Sequence, residues 1–429
     1  MPAATRPPTR GPIGTPQVPG WDHAQPMPSA QTAAELTSFA GRGAGTDAER
    51  RAALWLAGAV SSPRRAAALE TFWCRPNRAL AHAWHAAVAL AGSLVMVSHP
   101  RLGGAVVLIA LLSVLADALT GRSPGRRLTP EHASQNVVSR PAAVPADPTA
   151  VRLILTANYD AARAGLVHRD GVRRAAATAR RLAGGLTPGW LGWLVIELVW
   201  LLGVAVVRDA GAAGLAIGVA QLVPTAALVL EVAALVELGS AGYGPSAIDN
   251  ASGTAVAVAV AGALDAAPPR HLSIELVLQG AGDPEMLGLR RHLRGRRHEL
   301  TRAGTIVLGF GPCGAGSPVY LISDGPLLAL RCAPRLAELA AAVAPRARGR
   351  RNRGTGPAFP ARRARLPAIT IGGRDHRGLV PRSHQPQDRP DGLDAAAMDA
   401  VLELALTLVD AIDAELGVSG RSAALPAAA

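Results

Sequence analysis

The chain has 429 residues, 49% of them hydrophobic and only 17% charged. With a mean hydropathy of +0.22, this is not the composition of an ordinary soluble protein and points to membrane segments. The net charge is +13 and, with no lysine present, every strong cation is an arginine, which favours anionic lipid or nucleic acid as a neighbour. Three dispersed cysteines, Cys74, Cys313 and Cys332, form no Cys-x-x-Cys pair and give no disulfide framework.

Residues 1–30 are Pro-rich and polar, without the apolar core of a signal peptide, and read as a disordered tail. Within residues 31–78, AELTSFAGRGAGTDAERRAALWLAGAVSS reads as a helix with Thr46 or Asp47 near its N-cap. Residues 79–120 hold two apolar runs, Leu80–Val97 and Leu102–Leu119, joined by SHPRLGG. Residues 189–238 hold two more, Gly189–Val207 and Ala212–Val236, joined by RDAG. Each run is about the length that crosses a bilayer, roughly 17–25 residues, so two transmembrane hairpins are expected. Their tips carry one arginine each, Arg101 and Arg208. Arg75, Arg78, Arg122, Arg126, Arg127, Arg173, Arg174, Arg180 and Arg181 crowd the flanks. The positive-inside rule then puts the polar domain of an integral, multi-pass protein in the cytoplasm. Inside the spans, Gly214 and Gly218 are spaced for close helix packing, and Glu197 calls for an interhelical hydrogen bond or a polar cavity.

Outside the hairpins strands and helices alternate. Strands are expected at Gln135–Ser139 and Val151–Asp160 within residues 121–165, followed by a basic amphipathic linker at 166–188. Within residues 239–416 come a helix at Ala255–Leu264, strands at His271–Gly280, GTIVLGF, PVYLIS and Leu366–Gly373, an Arg/Gly/Pro loop at Pro345–Arg365 and a helix at Asp394–Leu416. Residues 417–429 read as a second disordered tail. The alternation predicts an α/β fold, a mostly parallel mixed sheet covered by helices on both faces, carrying the two hairpins.

The succession RGAGTDAERRAALWLAGAV, SQNVVS, LILTANYD, IDNASGTAVAVAVAGAL, LQGAGDPEMLG and SHQPQDRPDGLD resembles that of the co-catalytic dizinc aminopeptidases, metallopeptidase family M28. The likeness spans about residues 35–60 and 134–416 and is interrupted by the second hairpin. It implies peptide hydrolysis by two zinc ions that share a bridging carboxylate, acidify a water and polarise the scissile carbonyl. A Glu beside one ligand is the general base in such a site.

Carried over residue by residue, the resemblance implies a damaged site. The bridging Asp falls on Asp249, another ligand carboxylate on Asp283 and the last His on His384. These leave room for one zinc at most. The first metal His falls on Asn158, a further ligand Asp on Gly311 and the general base on Gly282; the Asp that orients the first His falls on Asp160. Glu285, His376 and Cys313 are nearby candidates to replace the base. The resemblance therefore leaves a one-zinc exopeptidase or a non-catalytic pseudopeptidase acting as a membrane scaffold or partner-binding module. In the latter, Asp249 would simply cap the helix starting near Ala251. A third possibility puts the work in the spans, through Glu197. Expected partners are the bilayer, its anionic headgroups through Arg290–Arg302 and Arg346–Arg365, and a peptide substrate or protein partner. Aromatic residues make up 3% of the chain and do not interleave with these arginines, which argues against nucleic acid.

Overall fold

A computed structural model describes residues 28–142, 150–183 and 188–419. The N-terminal tail expected at residues 1–30 lies outside these residues up to 27, and helix α1 (Ser29–Thr37) already occupies its end. The stretch expected as one helix is two, because Gly41 and Gly45 adopt left-handed φ values of 72° and 77°. Thr46 then accepts a hydrogen bond from the Glu49 N–H and opens α2 (Asp47–Val60), as a Thr-x-x-Glu sequence favours. Strand β1 (Arg65–Cys74) follows. It was not anticipated: RAAALETFWC is half alanine and charge, and it becomes a strand by pairing antiparallel along its whole length with β2 (His132–Pro141).

Helices α3 (Arg78–Val95) and α4 (Pro100–Thr120) form the first hairpin. Asn77 caps α3, Pro100 opens α4, and Gly121 in the left-handed region closes it. The short α5 (Pro124–Arg127) precedes β2, and β3 (Val151–Asn158) leads on to the basic α6 (Asp170–Leu182). The second hairpin is α7 (Trp190–Asp209) and α8 (Leu215–Ser240). The chain continues through α9 (Ser252–Ala266), β4 (Leu272–Gln279), α10 (Leu287–Gly295), β5 (Thr305–Phe310), β6 (Ser317–Asp324), β7 (Leu330–Arg331) and α11 (Pro334–Val343). It ends with β8 (Arg348–Arg351), α12 (Phe359–Arg363), β9 (Ala368–Arg374) and α13 (Ala395–Ser419). Residues 345–365, read as a loop, thus contain α12 and a strand that pairs parallel with β6. The C-terminal tail expected at 417–429 begins inside α13, and from residue 420 it lies outside the described residues.

Among the described residues the strands form one sheet in the order β1-β2-β4-β3-β5-β9-β6-β7, with β8 on β6. Strands β4, β3, β5 and β9 run parallel at its centre. Their residues are buried almost throughout, as required of a sheet covered on both faces. One face packs against Leu36, Leu56, Val256, Val260, Leu404 and Leu408 from α1, α2, α9 and α13. The other packs Leu289, Leu293 and Ala361, from α10 and α12, against Ile154, Val277 and Val307.

Helices α3, α4, α7 and α8 enclose a separate apolar core around Ala89, Val107, Val114, Leu194, Leu198 and Leu228. Close backbone approach occurs between α3 and α4, where a Cβ on Gly103 would lie 2.5 Å from the Gly92 oxygen. It does not occur at Gly214 and Gly218, which have nothing within 4 Å of a built Cβ. Arg101 Nε donates to Asp209 Oδ1 at 2.7 Å, so the two hairpin tips lie together at one end. Ile109, Leu112, Trp200, Val206, Leu222 and Leu230 are exposed on the outside of the bundle, far more apolar surface than a water-facing bundle shows.

By length and composition, four helical segments could cross a membrane: α4, α7, α8 and Ala247–Ala266, which contains α9. This corrects the expected set. Helix α3 is not among them because Arg78, His82 and His85 lower its hydropathy; all three side chains are buried. The segment Ala247–Ala266 qualifies on composition but is 78% buried, against 39%, 39% and 22% for α4, α7 and α8. It is a core helix of the α/β domain.

Candidate functional site

Strands β3, β4 and β5 end side by side at Asn158, Gln279 and Phe310, the edge where open parallel sheets place their sites. The IDNASG turn faces these ends. Asp249 has an extended conformation and Asn250 a left-handed one, with φ of −88° and 74°. Asp249 therefore turns away from α9, which has no side-chain cap, so a capping role for Asp249 is excluded. Asp388 holds the turn instead, accepting from the N–H groups of Ile248 and Asp249 at 2.7 and 3.0 Å. Ser246, Asn250, Ala281, Met286, Arg382 and His384 all have positive φ. Such backbone is costly for residues with a Cβ and persists where the surroundings enforce it.

Asp249, Asp283 and His384 come together as the sequence suggests. His384 Nε2 lies 3.1 Å from Asp249 Oδ2 and 3.5 Å from Asp283 Oδ1. Ser383 Oγ donates to the same Asp249 oxygen at 2.5 Å. Burial opposes a charge on His384, but the Asp283 and Asp249 carboxylates outweigh it and hold the imidazole pKa up to about 9. Against its own burial, Asp249 is drawn down to about 2 by His384. Asp283 goes the other way, raised by burial. At neutral pH the arrangement is an imidazolium between two acidic side chains. The His168 ring lies 4.3 Å from that of His384; burial and the neighbouring charge push it down to about 2, so it stays neutral.

The buried Asp160 accepts from the N–H groups of Gly282 and Asp283 at 3.0 and 3.1 Å. It orients the loop that carries Asp283, not a histidine. Besides Asp388, two further residues shape the site and were missed in the sequence. Glu49 accepts from Gly45 N, Ser134 Oγ and Ala281 N at 2.6, 2.8 and 2.8 Å, tying α2 to that loop; burial raises its pKa to about 7. Arg42 donates to the carbonyls of Tyr159, Pro245 and Ser246 at 3.0, 2.6 and 2.8 Å, clamping the end of β3 to the IDNASG turn. The Thr-x-x-Glu pattern is a signal that could have marked Glu49 as a helix-start residue; nothing local signals Arg42.

The remaining positions supply no catalytic group. The Asn158 Oδ1 has no hydrogen-bond partner, and a Cβ on Gly282 would lie 2.5 Å from Asn158 Cγ. Asn158 thus fills the space a side chain at 282 needs. Gly311 offers only backbone. Of the candidate replacements for the base, Glu285 is held by Arg126 Nη1 and Nη2 at 2.6 and 2.8 Å. Burial pushes the Cys313 thiol up to about 12, and His376 does not line the cavity of about 230 Å³ that contains Asp249, Asp283, His384 and Arg374. Among the described residues no group of three or more His, Cys, Asp or Glu side chains is arranged to hold a metal. The two-zinc set does not fit, because an amide and two glycines replace its ligands and base. A single zinc would have to displace the proton from His384, whose pKa the two carboxylates raise.

Residues 236–409 match the model of Peptidase family M28. The fold is similar to BSAP, a zinc aminopeptidase from Bacillus subtilis, with a TM-score of 0.50 and 12% identity over 89% of this chain and 94% of that one. LapB from Legionella pneumophila is also similar, at a TM-score of 0.47 and 11% identity over 91% and 73% of the two chains. So is the glutaminyl cyclase of Fimbriiglobus ruber, at 0.46 and 12% over 94% and 99%. No curated protein matches.

Proposed function

We propose, for a chain whose residues 236–409 match peptidase family M28, that the helical bundle, through α4, α7 and α8, anchors a peptidase-like domain in a membrane and that its cleft binds without hydrolysing. The observation that carries this reading is the site's own charge balance. The His384 imidazole stands between Asp249 and Asp283, its Nε2 at 3.1 and 3.5 Å from their oxygens, where two zinc ions would otherwise supply the positive charge. Position 282 has no side chain to take a proton from water. A cleft in this state retains a shaped, polar cavity and lacks both the Lewis acid and the base of hydrolysis.

The membrane reading is supported by the exposed apolar belt of the bundle and by arginine placement. Arg290 donates to the Thr120 carbonyl, and Arg363 to those of Ala118 and Leu119. Both cap the C-terminal end of α4, as cations favour, and put positive charge at the level where headgroups begin. The positive-inside rule assigns this side to the cytoplasm.

A one-zinc hydrolase is the second reading, favoured by the donor types of Asp249, Asp283 and His384, two carboxylates and an imidazole within 3.5 Å of one another in pairs that share His384. Metal analysis of protein purified without chelator separates the two, together with an aminopeptidase assay. The binding reading expects zinc well below one ion per chain and no turnover. Stoichiometric zinc lost on Asp249→Ala would overturn it.

A further inference from the structure

A second cavity, of about 410 Å³, lies between the cleft and the helical bundle, within the roughly 300–1,000 Å³ of ordinary ligand sites. Asp283 and His384 line its inner end, so it opens on the site just described. Ala234, Leu235 and Leu238 of α8 and Trp190 of α7 form an apolar wall. Residues 231, 234, 235 and 238 recur at helical spacing, so one face of α8 lines the cavity over roughly 10 Å.

The polar groups are unevenly satisfied. Arg163 donates to Ala241 O at 2.6 Å and to the Tyr243 hydroxyl at 3.2 Å. Asp283 faces His384. Arg78 differs. It is 7% exposed, yet its Nε has no hydrogen-bond partner. Its guanidinium lies 5.3 Å from the centre of the Trp190 ring, and Glu285 Oε1 stands 3.9 Å from the Nε, that carboxylate already being taken by Arg126. A buried guanidinium whose ion-pair partner stands 3.9 Å away, on a carboxylate already held by Arg126, is under-compensated unless a further anion completes it. Asn77 Nδ2 donates to Gly239 O at 2.9 Å, which places the start of α3 at the Leu238 end of the wall. Glu231 lies at the other end.

We propose that this cavity takes a single-chain anionic amphiphile from the bilayer, its carboxylate on Arg78 and its alkyl chain along Trp190, Leu235 and Leu238. The inference rests on the membrane-anchored reading. It does not depend on whether the cleft holds zinc, so metal content measured on the same sample separates the failure of one from the failure of the other.

The test uses the full chain in phosphatidylcholine nanodiscs and a long-chain fatty acid bearing a mid-chain diazirine. After irradiation, adducts are mapped by peptide mass spectrometry. Adducts are expected on Trp190 and residues 234–238, competed by oleate but not by its methyl ester. They should fall at least about tenfold, the loss of one charge-assisted contact, in Arg78→Gln and also in Leu235→Trp, which fills the cavity and leaves Arg78 intact. Arg78→Lys should retain them. Glu231→Gln should label at least as well as wild type, because Glu231 lies at the far end of the wall from Arg78 and takes no part in holding the carboxylate. Loss of labelling in Glu231→Gln would assign the cavity to a cation and overturn the proposal. So would equal labelling of outward-facing Leu222 and Leu230 regardless of Arg78, or competition by an apolar peptide and not by oleate.

Discussion

Replacing His384 with Gln removes the cation between Asp249 and Asp283 and keeps a neutral donor. The structure sets the size of the effect. The imidazole rises from an ordinary 6.5 to about 9; at about 1.4 kcal/mol per unit the contacts contribute on the order of 3 kcal/mol to stability. Because the folded pKa lies above the unfolded one, this contribution is complete below about pH 6.5 and is lost as pH rises through 9. Asp249, held at about 2, stays ionised across that window. Glu49 and Asp388, both raised by burial to about 7, titrate in both proteins and largely cancel in the difference. Urea midpoints of wild type and variant in the same detergent, compared from about pH 6 to pH 10, give the difference directly. It should be largest at the acid end and shrink toward zero at the alkaline end. A pH-independent difference would refute the argument. One that grows with pH would show instead a metal on the neutral imidazole, since metal binding strengthens as the proton leaves.

Three other substitutions test the surroundings. Gly282→Ala should destabilise by about 1–3 kcal/mol through overpacking against Asn158, and Asn158→Ala in the same chain should relieve most of it; additive losses would mean the two do not compete for one space. Arg126→Ala strands Asp117 and Glu285, which it now holds with pairs of bonds at 2.8 and 2.7 Å and at 2.6 and 2.8 Å. The expected loss is about 3–5 kcal/mol, read from the urea midpoint and recovered in part by Asp117→Asn with Glu285→Gln. For sidedness, an impermeant thiol reagent applied to intact cells should label cysteine placed at 101 or 208 and not at 350; the reverse pattern inverts the orientation.

The fold was legible where the pattern is self-contained. VRLILTAN and LSIELVLQ are apolar runs bounded by turns, and the structure has them as β3 and β4. β1 was not legible because its edge position leaves most of its side chains exposed or half-buried. The apolar helices were legible by composition, yet composition cannot separate a lipid-facing helix from a core one: the segment containing α9 is apolar enough to cross a membrane but is 78% buried. At the site, the IDNASG, GDPE and SHQP segments located Asp249, Asp283 and His384. Arg42, Glu49 and Asp388 escaped notice because each acts on backbone groups distant in sequence, a relation that exists only after folding.

If the cleft binds without metal, as proposed, the charge around Asp249 gives the reason why restoring one ligand would not restore a metal site. Asp160, Asp249, Asp388 and Glu49 are buried, with Asp283 half-buried beside them, and a two-zinc site would meet such a cluster with divalent cations. Here the same need is met in other ways. His384 carries a proton. Asp160, Glu49 and Asp388 are pushed by burial toward their neutral forms. Arg42 stays cationic, with a pKa of about 10, because burial is opposed by Asp160, Asp388 and Asp249. Arg126 locks Glu285, next but one to Asp283, onto Asp117 at the base of α4. A zinc ion arriving at Asp249 must therefore displace a proton from His384 and disturb a cluster already near balance. Asn158→His or Gly311→Asp alone changes one donor and leaves that balance in place. Metal uptake in either single variant without a change in the pH dependence of stability would show that the compensation is weaker than these contacts imply.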